Sequence, residues 1–136
     1  MPASIRLSFG PVEHPLSLQF VHASTRSLDE YIYEDHPEED ARSMFQATGA
    51  DVLVMGHTHI PYTRTLAGGA GLLVNVGSVG RSKELSREAA FAILTVRNAG
   101  VEAEIFRVSY DRERTIKAIR ESSIPDFYAD FLTGAT

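Results

Sequence analysis

Cysteine is absent from the 136 residues, which excludes disulfides, thiol catalysis and every Cys-ligated zinc or iron–sulfur site. Missing too is any apolar run near the roughly 18 residues that a membrane helix needs. The opening residues lack the basic-then-apolar pattern of a secretory leader. Positive charge is in deficit, with 13 Lys+Arg against 18 Asp+Glu and a net charge of −5. No broad basic surface is therefore available to neutralise phosphates, and a nucleic-acid interface is not expected. No internal repeat, low-complexity tract or Pro/Ser linker divides the chain. What is present is apolar material, 43% of residues, enough for a real core. The expectation is a single domain over residues 1–136, soluble and cytoplasmic, with no membrane partner.

The acid excess lies entirely in the first half, where residues 1–68 hold 4 bases and 9 acids while residues 69–136 hold 9 of each. Most of it falls between Asp29 and Asp40, a stretch without Lys or Arg. Two readings apply: a solvated loop running into the acid-rich first turn of a helix, which the helix dipole favours, or a divalent-metal site. Charge runs are usually solvated faces, and the first reading is the stronger.

Leu16, Leu18 and Phe20 alternate with Ser17, Gln19 and Val21, the period of a strand, which would deliver His22 at its carboxyl end. Residues 24–35 read as a loop. A helix follows, capped by Asp35 or His36, with Pro37 in its first turn, Ala41, Met44, Phe45 and Thr48 on one face, and Gly49 at its end. Val52–Met55 is a continuous apolar run, typical of a strand buried on both faces. Further strands are expected over 60–66, Leu72–Val76, Ala89–Arg97 and Val101–Val108, the last two joined by an Asn98-Ala99-Gly100 hairpin turn. A helix from Tyr110 or Asp111 to about Glu121 and a short one ending at Gly134 close the chain. The order gives an α+β protein with a mostly antiparallel sheet flanked by helices.

Gly56-His57-Thr58-His59 carries the most chemistry. It leaves a buried strand directly, where a rigid scaffold hands residues to a loop. Two histidines at i and i+2 share one face of an extended chain. Imidazole suits Zn, Mn, Fe or Ni, and Gly56 permits close approach of the backbone. Spacing alone leaves a metal-binding pair and an ordinary loop pair both open.

Val21-His22, the run Ala50-Asp51-Val52-Leu53-Val54-Met55-Gly56-His57-Thr58-His59-Ile60-Pro61, and Val74-Asn75-Val76-Gly77-Ser78-Val79-Gly80-Arg81 together resemble the calcineurin-like metallophosphoesterases, in particular their small bacterial and archaeal single-domain members. The resemblance runs from about Leu16 to Gly134, with Tyr110-Asp111 and Ile124-Pro125…Leu132…Gly134 looking like the tail of that subgroup. It implies an αββα sandwich with two adjacent divalent ions at the carboxyl ends of the strands, and hydrolysis of phosphate mono- or diesters by a metal-activated water. By motif, His22 and His57 match two ligands of one ion and His59 a ligand of the other. Asn75, Ser78 and Gly80 match the loop that borders the site. Arg81 offers a planar fork of donors to a phosphate oxygen, or stands as a solvated loop cation. The ions are Mn, Fe, Ni or Zn. Ala23 departs from the family's usual Gly, a change tolerable unless the backbone there needs φ > 0.

The family's Asp-x-His, Gly-Asp and Gly-Asn-His-Asp motifs do not occur in this sequence. They supply the bridging carboxylate, most ligands of the first ion and the histidine that protonates the leaving group. His14 and His36 match no motif and read as turn material and a helix entrance. Three histidines spread over two ions fall short of the usual four ligands. The chain is therefore read as the C-terminal half of a metal-dependent phosphoesterase, a hydrolase of phosphoric ester bonds, inactive alone. The alternative is a truncated, non-catalytic relative acting as a dimerisation or interaction module. Half a sandwich would expose an apolar sheet face, so a missing N-terminal half or a second copy is the expected partner.

Overall fold

The computed structural model describes residues 4–97 and 100–134. In chain order these form β1 (Ser4–Phe9), β2 (Leu16–Val21), α1 (Glu38–Thr48), β3 (Val52–Met55), β4 (Tyr62–Thr65), β5 (Leu72–Asn75), β6 (Ala89–Arg97), β7 (Gly100–Val108), α2 (Arg112–Arg120) and α3 (Phe127–Thr133). Strands β1 to β5 make one sheet in the order β1-β2-β3-β5-β4, and β6 and β7 make a second. The pairings β2–β3 and β3–β5 are parallel, and β1–β2, β4–β5 and β6–β7 are antiparallel. Parallel pairing needs a long crossover. Residues 22–51 with α1 provide one, and the excursion through β4 provides the other. Residues 98 and 99 of the expected hairpin turn lie outside the described residues.

Period-two alternation divides the central strands between two cores. Val52 and Val54 pack with Leu18 and Val74 on one face, while Leu53, Met55 and Leu73 pack on the other against Ala41, Met44 and Phe45 of α1. Leu53 and Leu73 are fully buried, as the unbroken apolar runs require. Helix α1 has Pro37 at its N-cap with no side-chain cap. Asp35 and His36 do not cap it, and Glu38, Glu39 and Asp40 in the first turn complement the dipole instead. Asp111 does cap α2, accepting from the Arg114 N–H at 2.9 Å.

The second sheet corrects the expectation that the chain keeps only one side of a sandwich. The β6–β7 hairpin turns Ala92, Leu94, Val96, Val101 and Ala103 onto the Leu18–Val52–Val54–Val74 face. The chain thus contains part of both layers, packed face to face. Helices α2 and α3 pack on one another, with Ile116 against Ala129 and Leu132 in a separate small core. Strand β1 is an edge that the sequence reading leaves unassigned, and its Ile5, Leu7 and Phe9 stay 45%, 43% and 39% exposed. They pair with Phe20, Leu18 and Leu16, so they lie on the inter-sheet face, beyond the cover of the hairpin.

Candidate metal centre

Because β2, β3 and β5 are parallel, their carboxyl ends open on one edge, which is where ligands bind in such sheets. His22 follows β2, Gly56 and His57 follow β3, and Asn75 ends β5. The edge is laced together locally. The Gly56 N–H donates to the His22 carbonyl at 3.0 Å, and the Val76 N–H to the Met55 carbonyl at 2.9 Å. Asn75, fully buried, donates from Nδ2 to the Gly56 carbonyl at 2.8 Å and accepts from the Gly77 N–H at 3.0 Å. Gly77 has φ +70, and a Cβ there would meet Ala90 and Pro61 at 3.0 Å. Asn75 and Gly77 therefore hold the loop by which β5 leaves the sheet against the histidine turn.

Nδ1 of His57 lies 3.1 Å from Nε2 of His22, with ring centroids 5.0 Å apart and the planes at 72°. Two imidazoles bound to one ion at about 2.0–2.1 Å each must hold their nitrogens within roughly 4 Å of one another, and this pair meets that condition. The other nitrogen of His57, Nε2, is buried and has no hydrogen-bond partner among the described residues, a costly state for a polar atom. His57 and His59 both have left-handed backbones, with φ of +64 and +62. The Thr58 N–H closes the tight turn onto the Gly56 carbonyl at 2.7 Å. Such conformations cost non-glycine residues of order 1–3 kcal/mol each and concentrate at functional sites. Ala23 is not among the positive-φ residues, so its methyl is accommodated without backbone strain.

His59 is directed differently. Its Nδ1 faces the Arg81 carbonyl at 2.8 Å, and its own carbonyl accepts from the Lys83 N–H at 3.1 Å. Burial holds the His59 pKa below the ordinary histidine range. The hydrogen bond to Arg81 opposes that shift, and the nearby charges of Lys83, Arg81 and His57 add to it. Ser78 accepts from the Arg81 N–H at 3.0 Å, and its carbonyl accepts from the Ala90 N–H at 3.0 Å. Gly80 has open space around it. The Arg81 side chain is half-buried, and its guanidinium lies over Phe131, Phe127 and Tyr128 of the last helix.

Two residues outside the motifs belong to this neighbourhood. The Tyr31 ring packs on His57 with centroids 4.3 Å apart, and the Lys83 ammonium lies 5.2 Å from the Tyr31 centroid. The signal for Tyr31 is the Tyr31-Ile32-Tyr33 string, in which fully buried Ile32 anchors the loop and leaves both flanking rings outside. The acidic stretch is not a metal cluster. Arg26 pairs with Glu30 and Asp40, Arg42 and Arg64 with Glu38, and His36 with Asp40. Arg26, aided by His36, holds the Asp40 carboxyl well below the usual carboxylate range. The arginine partners come from outside the stretch, which is why a local count of bases could not find them.

Among the described residues no group of three or more His, Asp or Glu side chains is placed to hold a metal ion. The donor set fits a divalent ion in part, as a preformed pair with a third imidazole nearby, and does not complete a site. The fold is two packed sheets, with His22 and His57 facing one another at the carboxyl edge of the parallel strands. The sequence profile of the calcineurin-like phosphoesterase superfamily domain matches residues 11–99, and the chain belongs to that superfamily. Solved structures agree at the level of fold. A hypothetical protein from Pyrococcus horikoshii OT3 superposes with a TM-score of 0.78 at 19% identity, covering 97% of this chain and 50% of its own. A metallophosphoesterase from Sphaerobacter thermophilus gives 0.73 at 23% identity, covering 100% and 60%. Vps29 from Chaetomium thermophilum gives 0.58 at 15%, covering 83% and 53%. The chain thus spans about half the length of these relatives. No functionally curated protein matches it.

Proposed function

We propose that this chain is the C-terminal half of a metal-dependent phosphoesterase that hydrolyses phosphate mono- or diesters. His22 and His57 would hold one divalent ion, and His59 would ligate its neighbour. A bound pair of ions would supply Lewis-acid polarisation and an activated water. The chain's own contribution is to aim three imidazoles from one rigid edge and to hold the loop of Asn75, Ser78 and Gly80 beside them. The observation that carries this reading is the facing His22–His57 pair on a strained turn at the carboxyl edge of parallel strands. The bridging carboxylate and the leaving-group acid are not in this sequence, so a second polypeptide segment has to bring them.

The test is hydrolysis of p-nitrophenyl phosphate and its bis-ester with Mn²⁺ or Ni²⁺. The chain alone should turn over barely above background. Addition of a polypeptide carrying the Asp-x-His, Gly-Asp and Gly-Asn-His-Asp motifs should raise the rate, and His57→Ala should remove the gain. Strong turnover by the chain alone, abolished by His57→Ala, would contradict the reading as a half-site.

One observation favours a second reading as an association module. The Ile5–Leu7–Phe9 row continues the inter-sheet apolar face past the hairpin and is left open. Such a row drives pairing with another chain, and a second copy related by a two-fold axis is the simplest closed arrangement.

A further inference from the structure

The loop after β5 is held at two ends by different chemistry. At one end it grips His59, through the Arg81 carbonyl on Nδ1 at 2.8 Å and the Lys83 N–H on the His59 carbonyl at 3.1 Å. At the other it is gripped by α3. The Arg81 guanidinium carbon lies 4.7 Å from the Phe131 centroid, 5.2 Å from Phe127 and 5.4 Å from Tyr128. The Arg87 guanidinium carbon lies 4.3 Å from Phe131. Arg81 Nε is buried without a hydrogen-bond partner among the described residues, so the rings are what hold this side chain. Phe127 and Phe131 stand four residues apart, on one face of the helix. The helix itself is anchored, with Ala129 and Leu132 packed on Ile116 of α2 and Phe131 against the same small core.

A backbone carbonyl only accepts hydrogen bonds. The ring nitrogen facing it must therefore carry the hydrogen, and in neutral His59 that leaves Nε2 as the one nitrogen with a free lone pair. We propose that α3 is a positioning element for His59: by clasping Arg81 and Arg87 with Phe127, Tyr128 and Phe131, it fixes the Arg81 carbonyl that selects the Nδ1–H tautomer and presents Nε2 for ligation. The last helix, remote from the histidine turn in sequence, thereby sets which atom of His59 is offered. The proposal rests on the reading of His59 as a ligand, because only a ligand gives the selection a purpose.

The experiment is long-range ¹H–¹⁵N correlation of the histidine rings in the full chain without metal, at a pH where His59 is neutral. Wild type should show His59 as a single Nδ1–H tautomer. The Phe127→Ala/Phe131→Ala double variant should lose that preference roughly tenfold, the effect of one hydrogen bond, with backbone signals of β2, β3 and β5 unchanged. Phe131→Tyr should retain it. If the double variant does not fold, Arg81→Gln removes the cation alone and should produce the same loss. A wild-type His59 in the Nε2–H form, or an unchanged tautomer in the folded variants, would overturn the proposal. Ligation is judged separately by Mn²⁺ titration of His59→Ala after addition of the polypeptide carrying the Asp-x-His, Gly-Asp and Gly-Asn-His-Asp motifs. Unchanged binding there, with the tautomer responding as described, would refute the ligand role and leave the clasp standing.

Discussion

Two histidines in left-handed backbone within three residues of each other are the feature of this protein that folding alone does not explain. A turn between a strand and a loop is served at lower energy by Gly or Asn, yet His57 and His59 occupy these positions at φ +64 and +62. The strain is separable from the imidazole by comparing two truncations. His57→Gly and His57→Ala both remove the ring and its contacts with His22 and Tyr31, and only Ala keeps a Cβ. Denaturant unfolding should find the Gly variant more stable by about 1 kcal/mol. Equal stabilities would mean that the turn stores no strain. At this scale much was legible in the sequence. His22 and His57 do face one another, and Asn75 borders their turn as the motif implies. What a linear string could not reveal is direction. Arg81 has the chemistry of a phosphate ligand, yet its guanidinium goes to aromatic rings more than forty residues further on, while its carbonyl meets Nδ1 of His59. Tyr31 was hidden for the same reason, since its contact with His57 crosses from a loop with no motif of its own.

Elements with strong local signals appear close to where the pattern puts them: β2, α1, β3, β5, the β6–β7 hairpin and α2. Strand β1 carried a period-two signal as well, Ile5, Leu7 and Phe9 against Ser4, Arg6 and Ser8, without a flanking motif to draw attention to it. The separation of β6 and β7 into their own sheet was not readable, because alternation says which residues face a core and not which sheet supplies it. Packing between elements produces its own sharp prediction at Gly71, which has φ +154 and lies where a Cβ would meet the Phe45 ring at 2.4 Å. Phe45 belongs to the buried face of α1 and cannot retreat without opening the core. Gly71→Ala should therefore destabilise the protein by about 2 kcal/mol or more through overpacking and backbone strain together, seen as a lower denaturation midpoint. An alanine tolerated without loss would show that the ring has room to move.

At the scale of the molecule, the described residues form two unequal layers, five strands against two, and the Ile5–Leu7–Phe9 row is a part of the inter-sheet face that the smaller layer does not reach. At about 25 cal/mol per Å², shielding that row favours association. Sedimentation equilibrium over a wide concentration range should show a dimer or higher species, and a single species at 14.9 kDa throughout would show that the row is stable in water. Binding of a divalent ion by His22 and His57 at the carboxyl edge, as proposed, can be read residue by residue from paramagnetic broadening. Mn²⁺ added in substoichiometric amounts to the ¹⁵N-labelled chain should broaden the amide signals of His22, Gly56 and His57 before any others, and His57→Ala should abolish that selectivity. Broadening that begins instead at the acidic stretch from Asp29 to Asp40, or that is unchanged in the variant, would mean that the histidine pair does not bind the ion.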